Sequence, residues 1–210
     1  MKYTHIVWDF NGTLLDDLHP CIDVLNTMLT RRNLEQCTES RYKEVFGFPI
    51  KSYYEKLGFD FTKEDYAVLA EEWAELYVAA SRNCGLCDGV LPALDFFQSE
   101  GISQIILSAT EINMLEKQLK PLGIRGYFDE VLALSNLFAF SKVDLGKAWV
   151  KRVKPEKALF IGDTIHDYET ARAMGTDCAL VAGGHQSRSR LETTGAAVYD
   201  NLRSLVESLH

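Results

Sequence analysis

Asp9 heads the run Asp9-Phe10-Asn11-Gly12-Thr13, in which a carboxylate precedes a turn-forming Asn-Gly pair. Backbone N–H groups of such a glycine-containing loop can cradle an anion, and a carboxylate beside it can attack a phosphorus atom held there. Taken alone, the run serves equally well as a strand-end turn. Farther along, Asp163 and Asp167 stand four apart in Gly162-Asp163-Thr164-Ile165-His166-Asp167. Two hard oxygen donors suit Mg2+, and Gly162 lets the backbone come close; the structural alternative is that Asp163 caps a helix from about Tyr168 to Met174. Ser108, closing Ile105-Ile106-Leu107-Ser108, offers phosphate oxygens a hydroxyl and N–H groups at the start of a helix from Glu111 to Leu119. As a solitary serine it is a plain helix cap. Either Lys142, in Phe138-Ala139-Phe140-Ser141-Lys142-Val143-Asp144, or Lys147 on the following helix can offset charge between Asp9 and a phosphate. Lys142 is preferred because it sits at a loop-to-helix junction.

These residues need elements that end in the same place. His5 to Phe10 is a short apolar, β-rich run, and similar runs recur at Gln104–Ser108, Glu130–Leu134, Ala158–Gly162 and Asp177–Val181, with helical segments between. That alternation predicts an α/β fold with a parallel sheet and right-handed crossovers. Ligands of such sheets bind beyond the carboxyl ends of the strands, where all four polar runs fall. From Leu18 to about Ser81 the pattern is helical, with Ile22, Leu25, Met28 and Leu29 on one face and Tyr66, Leu69, Trp73 and Tyr77 on another. The core is therefore interrupted once.

The 210 residues, 47% hydrophobic and 25% charged, exclude disorder and collagen-like repeats, and the length allows one sizeable core with a modest insertion. A net charge of −8 repels polyanions, so no nucleic-acid partner is expected, although a bound cation can still recruit a small anion. No apolar run approaches the ~18 residues of a membrane span. Five irregularly spaced cysteines and an N-terminus that runs straight into a strand predict a reducing, cytoplasmic setting. Cys84 and Cys87 form a lone pair without the further ligands a structural zinc needs, and are read as a return hinge.

The order and spacing of the four runs resemble the haloacid dehalogenase-like hydrolases, and more closely their phosphoglycolate-phosphatase-like branch, over His5 to about Gly184. The resemblance implies a Rossmann-like core formed by residues 1–15 and 88–210, with an all-helical cap inserted at 16–87. It implies a phosphatase of a small phosphorylated metabolite, working as a monomer or homodimer with Mg2+ as cofactor. Asp9 would be the nucleophile that forms an aspartyl-phosphate, with Lys142 beside it. Gly12, Thr13, Ser108, Ala109 and Lys142 would contact the phosphate. Asp9, the backbone carbonyl of Asn11, Asp163 and Asp167 would hold the metal.

Two departures stand out. Many relatives carry a polar residue where this chain has Ala109, which leaves Thr110 as a replacement contact. Asn11 stands where phosphatases of this kind usually place a second Asp that protonates the leaving alcohol and activates water. An amide cannot exchange a proton that way, and a positioned acid/base is typically worth about 10² to 10⁴ in rate. This motivates two further readings: a weakly active or inactive regulator that binds Mg2+ and phosphorylated metabolites, or a phosphotransferase. Asp16, Asp17 and His19 follow closely enough to supply a proton, although acids before a helix ordinarily cap it. His166, inside the acidic run, could reach a substrate but reads first as a solvated loop residue. In the helical insertion, Gly47-Phe48-Pro49-Ile50-Lys51 is the expected specificity loop, and Arg31, Arg32, Arg41, Lys43 and Lys51 are candidate anion contacts.

Overall fold

The computed structural model describes residues 2–135 and 142–209. The Phe138–Ser141 part of the lysine run lies outside the described residues, whereas Lys142 lies within them. Among the described residues six strands form one parallel sheet in the order β3-β2-β1-β4-β5-β6, namely β1 (His5–Trp8), β2 (Ser103–Glu111), β3 (Glu130–Leu134), β4 (Ala158–Gly162), β5 (Asp177–Val181) and β6 (Ala197–Tyr199). The first five match the expected strands in position; the three-residue β6 has too short an apolar run to stand out in the sequence.

The central strands are apolar along their whole length because both sheet faces are covered. On one face Ile6, Trp8, Ile106 and Ile161 pack with helices α5 (Val90–Ser99), α6 (Ile112–Leu122) and α10 (Leu202–Ser208). On the other, Val7, Ile105 and Phe160 meet Trp149 of α7 (Val143–Val153) and Ala171 of α8 (Ile165–Met174). The strand order runs outward from β1 in one direction and from β4 in the other, so the chain reverses its winding between β1 and β4. That switch point leaves a crevice outside the strand ends, where Asp9 and Asp163 both emerge.

Between β1 and α5 the chain forms α1 (Leu18–Arg31), α2 (Glu39–Val45), α3 (Ile50–Lys56) and α4 (Tyr66–Ala80). These helices have a hydrophobic cluster of their own, including Leu25, Met28, Tyr42, Tyr53 and Leu69, which Met114 of α6 joins from the sheet side. The two passages linking this segment to the sheet pair with each other, Asp16 N–H donating to the Gly85 carbonyl at 3.0 Å and Cys87 N–H to that of Leu14 at 3.0 Å. Cys84 and Cys87 sit in this paired passage as free thiols, with burial pushing both upward, Cys84 to about 11.

Candidate active site

Gly12 adopts φ +71°, the left-handed region that glycine enters without a Cβ penalty, and a Cβ here would stand 2.5 Å from Asp163 Oδ2. The turn thus folds the Asn11–Thr13 loop tightly against the end of β4. Gly162 is needed for the same reason, since a Cβ would lie 2.4 Å from the Asp167 carboxyl carbon. The close approach that the sequence suggested is therefore used by a carboxylate of the site itself.

Asp9, Asp163 and Asp167 converge at this point, all buried, with carboxylate oxygens within 4.8 Å of one another. Lys142, 2% exposed, pairs with Asp9 and, at 2.5 Å, with Asp167. Burial opposes its charge, but Asp167 and Asp9 outweigh burial and hold the ammonium protonated. Lys147 is exposed on α7. Asp9 is pushed well above the usual carboxylate range, by burial first and then by Asp167, with Lys142 offsetting only part of it. Asp163 is pushed up to about 6, again chiefly by burial. Three buried acids facing one lysine form a donor set that a hard divalent cation fits, through oxygen ligands and excess negative charge.

The helix-cap alternative falls to Thr164 rather than Asp163. Helix α8 begins at Ile165, three residues earlier than expected, and the Thr164 hydroxyl caps it by accepting from Asp167 N–H. Asp167 returns the favour by accepting from Thr164 N–H at 2.9 Å, so this acid also fixes the helix start. Asp163 instead accepts from the Thr13 hydroxyl at 2.9 Å and from His185 N–H at 2.6 Å.

Ser108 differs in placement from the sequence expectation. Strand β2 runs on to Glu111, with its register against β3 shifting between Leu107 and Glu111, and Glu111 caps α6. Ser108 is therefore a buried strand residue whose hydroxyl accepts from Thr110 N–H at 3.1 Å, not a residue at a helix start. It still lines the central cavity beside Ala109 and Thr110. The Gly12 N–H is taken up by Asp17 Oδ1 and the Leu15 carbonyl, both at 2.9 Å, and the Thr13 hydroxyl by Asp163. These two groups hold the loop together.

Asn11 is the centre of a network that the sequence did not disclose. Its Nδ2 donates to Asp17 Oδ2 and to the Tyr77 hydroxyl, both at 2.7 Å, and its Oδ1 accepts from the Thr110 hydroxyl at 2.6 Å. Asp17 is buried and also accepts from Tyr77 and from His185 Nε2, the latter at 3.2 Å. It stands at the N-terminal end of α1 but makes no side-chain cap bond to that helix, contrary to the ordinary role of such an acid. Burial pushes Asp17 upward, yet the His185 imidazolium and the bonds from His185, Tyr77 and Asn11 outweigh it and hold Asp17 below its usual value. Burial likewise lowers His185, but Asp17 and then Asp163 and Asp9 dominate and raise it to about 9. Asp16 and His19 are exposed.

His185 and Gln186 were missed by sequence reading. The signal available was position: Gly183-Gly184-His185 follows β5, whose end lies at the same edge as Asp9. Gln186 accepts from Ile165 N–H at 2.8 Å and donates to the Phe46 carbonyl at 2.9 Å, so it ties the start of α8 to the helical segment. Arg190 of α9 (Arg188–Glu192) adds bonds to the Lys43 and Phe46 carbonyls at 2.8 and 2.7 Å. His166 is not a solvated loop residue. It is buried in α8, stacks on Phe48 at 4.3 Å, and is held neutral by burial. The five basic residues proposed as anion contacts point elsewhere: Arg31 and Arg32 pair with Glu72, Arg41 with Glu35 and Lys43 with Glu39, while Lys51 lies over the Phe61 ring.

A family model for haloacid dehalogenase-like hydrolases matches residues 6–181. The chain belongs to that family. A phosphoglycolate phosphatase from Aquifex aeolicus is 27% identical over 185 residues, covering 86% of this chain and 85% of the relative. An N-acetylmuramic acid 6-phosphate phosphatase from Pseudomonas aeruginosa is 23% identical and covers 100% of this chain and 96% of its own length. The family hydrolase from Streptococcus pneumoniae superimposes with a TM-score of 0.84 at 19% identity, over 99% of each chain, and so shares the fold. This haloacid dehalogenase-like hydrolase thus lies on the phosphoglycolate-phosphatase-like branch, among phosphatase enzymes. No described helix is long and apolar enough to cross a membrane.

Proposed function

We propose that this hydrolase is a Mg2+-dependent phosphomonoesterase that acts on a small phosphorylated metabolite through an aspartyl-phosphate on Asp9, in the cytoplasm. The observation that carries the reading is the convergence of buried Asp9, Asp163 and Asp167 on Lys142 at the switch point of the sheet. Asp9 Oδ attacks phosphorus, the ester oxygen leaves with the electron pair of the broken P–O bond, and water then cleaves the acyl-phosphate to return the carboxylate. Asp9, Asp163, Asp167 and the Asn11 carbonyl would hold Mg2+, which when bound would supply positive charge to the phosphoryl oxygens. Lys142 adds a fixed cation on the nucleophile's side, and Ser108, Ala109 and Thr110 line the same cavity. The helices of 16–87, fastened by Gln186 and Arg190, act as a cap that keeps bulk water from the acyl-phosphate.

Turnover of p-nitrophenyl phosphate in Mg2+ and after chelation tests this directly. Phosphate release should require the metal, and equal rates in excess chelator would end the proposal. Asp163→Ala should weaken Mg2+ binding in calorimetric titration by more than tenfold and Asp167→Ala by less, because Asp167 is also engaged in capping α8. An unchanged Mg2+ affinity in Asp163→Ala would remove that residue from the metal site.

Asn11→Asp has a specific expected outcome. The new carboxylate would face Asp17 across the 2.7 Å now spanned by the amide hydrogen bond, and two acids at that spacing share a proton because both cannot ionise. The variant should therefore gain a proton donor and accelerate esters of poor leaving groups, such as phosphoglycolate, more than p-nitrophenyl phosphate, whose phenolate departs unassisted. It should also lose about 1–3 kcal/mol of stability from the disturbed network. Equal effects on the two esters would show that Asn11 is not where leaving-group protonation is limited.

A further inference from the structure

The cavity that starts at Asp9 continues away from the sheet and among the helices of 16–87, with a volume of about 210 Å3. An apolar cavity of ~150 Å3 already takes up a benzene ring, so the space exceeds what a two-carbon acid needs. Its wall on the side of residues 16–87 includes Leu25, Phe46, Phe48, Tyr53, Tyr54 and Trp73. The rings are held in place: Trp73 stacks on Tyr77 at 4.5 Å, and Phe46 meets Tyr53 edge-on at 5.2 Å. Burial pushes the Tyr53 and Tyr54 phenols upward, so both stay neutral.

Charge on the described lining is distributed one-sidedly. Lys142 is paired with Asp9 and Asp167 and His185 with Asp17, while His166 stacks on Phe48 and lies 3.7 Å from Glu169. Glu111, which caps α6, adds a further carboxylate to the lining. No Arg, and no Lys besides Lys142, lines the cavity among the described residues. A carboxylate carried by the alcohol part of a substrate would be desolvated there without a counter-charge, which is costly. An apolar group placed against the same wall gains from leaving water.

We infer that the substrate of this site is a phosphomonoester whose alcohol part is uncharged and largely apolar, an aryl-alkyl or branched aliphatic group, in preference to a phosphorylated acid. The inference rests on the phosphatase reading for the phosphate end and on the wall residues for the alcohol end. Two non-hydrolysable probes separate these ends. Benzylphosphonate and phosphonoacetate place an aromatic ring or a carboxylate on the same C–P frame, and their affinities are compared by calorimetry at fixed Mg2+. Benzylphosphonate should bind at least tenfold more tightly, about 1.4 kcal/mol. Trp73→Ala and Phe48→Ala, each checked for folding by circular dichroism, should lose several-fold more affinity for benzylphosphonate than for phosphonoacetate. Phosphonoacetate binding as tightly or more tightly overturns the inference, as does a preference that survives both substitutions undiminished.

Turnover of 2-phenylethyl phosphate against phosphoglycolate, both with alkoxide leaving groups, gives the kinetic counterpart. A higher kcat/KM for the phenylethyl ester supports the inference, and a higher value for phosphoglycolate opposes it. Absence of phosphate release from every ester would sink the phosphatase reading alone, because the phosphonate affinities still decide which alcohol part the cavity accepts.

Discussion

Asp9→Asn eliminates turnover, by four orders of magnitude or more on the scale seen when a covalent nucleophile is removed, while the protein stays folded. The amide keeps the shape of the carboxylate but lacks the charge to attack phosphorus. Stability should not suffer, because Asp9 is a buried acid that its surroundings disfavour in the ionised form despite Lys142. The sign of the pH dependence follows from the same shift. Asp9 and Asp163 both have folded-state values above the ordinary 3.8, Asp163 at about 6. The folded state then binds more protons than the unfolded chain between these values, so metal-free protein loses stability as pH rises from about 4 through 6. Asp9→Asn should flatten this decline, and Mg2+ should reverse it in the native protein. Urea midpoints at pH 4.5, 6 and 7.5, with chelator and with Mg2+, measure both effects. Retention of most activity in a folded, uncontaminated Asp9→Asn preparation would remove Asp9 from the chemistry.

Asp17→Ala should be the most destabilising substitution at this edge of the sheet, costing about 3–5 kcal/mol. Asp17 satisfies the Gly12 N–H, the Asn11 amide, the Tyr77 hydroxyl and the His185 imidazolium at once. Its removal leaves His185 without its counter-charge and several buried donors without their acceptor. Asp17→Asn should fall between alanine and the native protein. The two partners also set a pH window. His185 is raised from 6.5 to about 9, so the stability drawn from its pairing is fully present below pH 6.5 and is lost as pH rises through about 9. Asp17 is lowered, so its share is present above 3.8 and is lost as pH falls through the lower folded value. Denaturation midpoints across pH 6 to 9.5 should drop steeply in the native protein and only slightly in Asp17→Asn. A parallel drop in both would show that another group controls the window.

The sequence by itself determined the α/β architecture, since apolar runs such as Ala158–Gly162 are short and continuous only where a strand is covered on both faces. It also determined that Asp9 and Asp163 stand just beyond strand ends, because a polar residue after such a run cannot continue into the core, whereas Ser108, expected to close its strand, lies inside β2, which runs on to Glu111. Asn11-Gly12 and Gly162 were legible for a local reason: a left-handed turn and a close backbone approach demand particular residue types at particular positions. Three things were decided only by the tertiary structure. Asp17 looked like a helix-capping acid because its partners Tyr77 and His185 lie 60 and 168 residues away. His166 looked solvated because Phe48, the ring that covers it, arrives from a separate segment between α2 and α3. The basic residues of 31–51 looked like anion contacts because charge is visible in a sequence and direction is not. The fold turns each of them toward a nearby carboxylate or an aromatic face, where water and counter-charge stabilise it. Leu25, Phe46 and Trp73 are left to line the cavity, because apolar side chains are the ones that lose least when that space is closed to solvent.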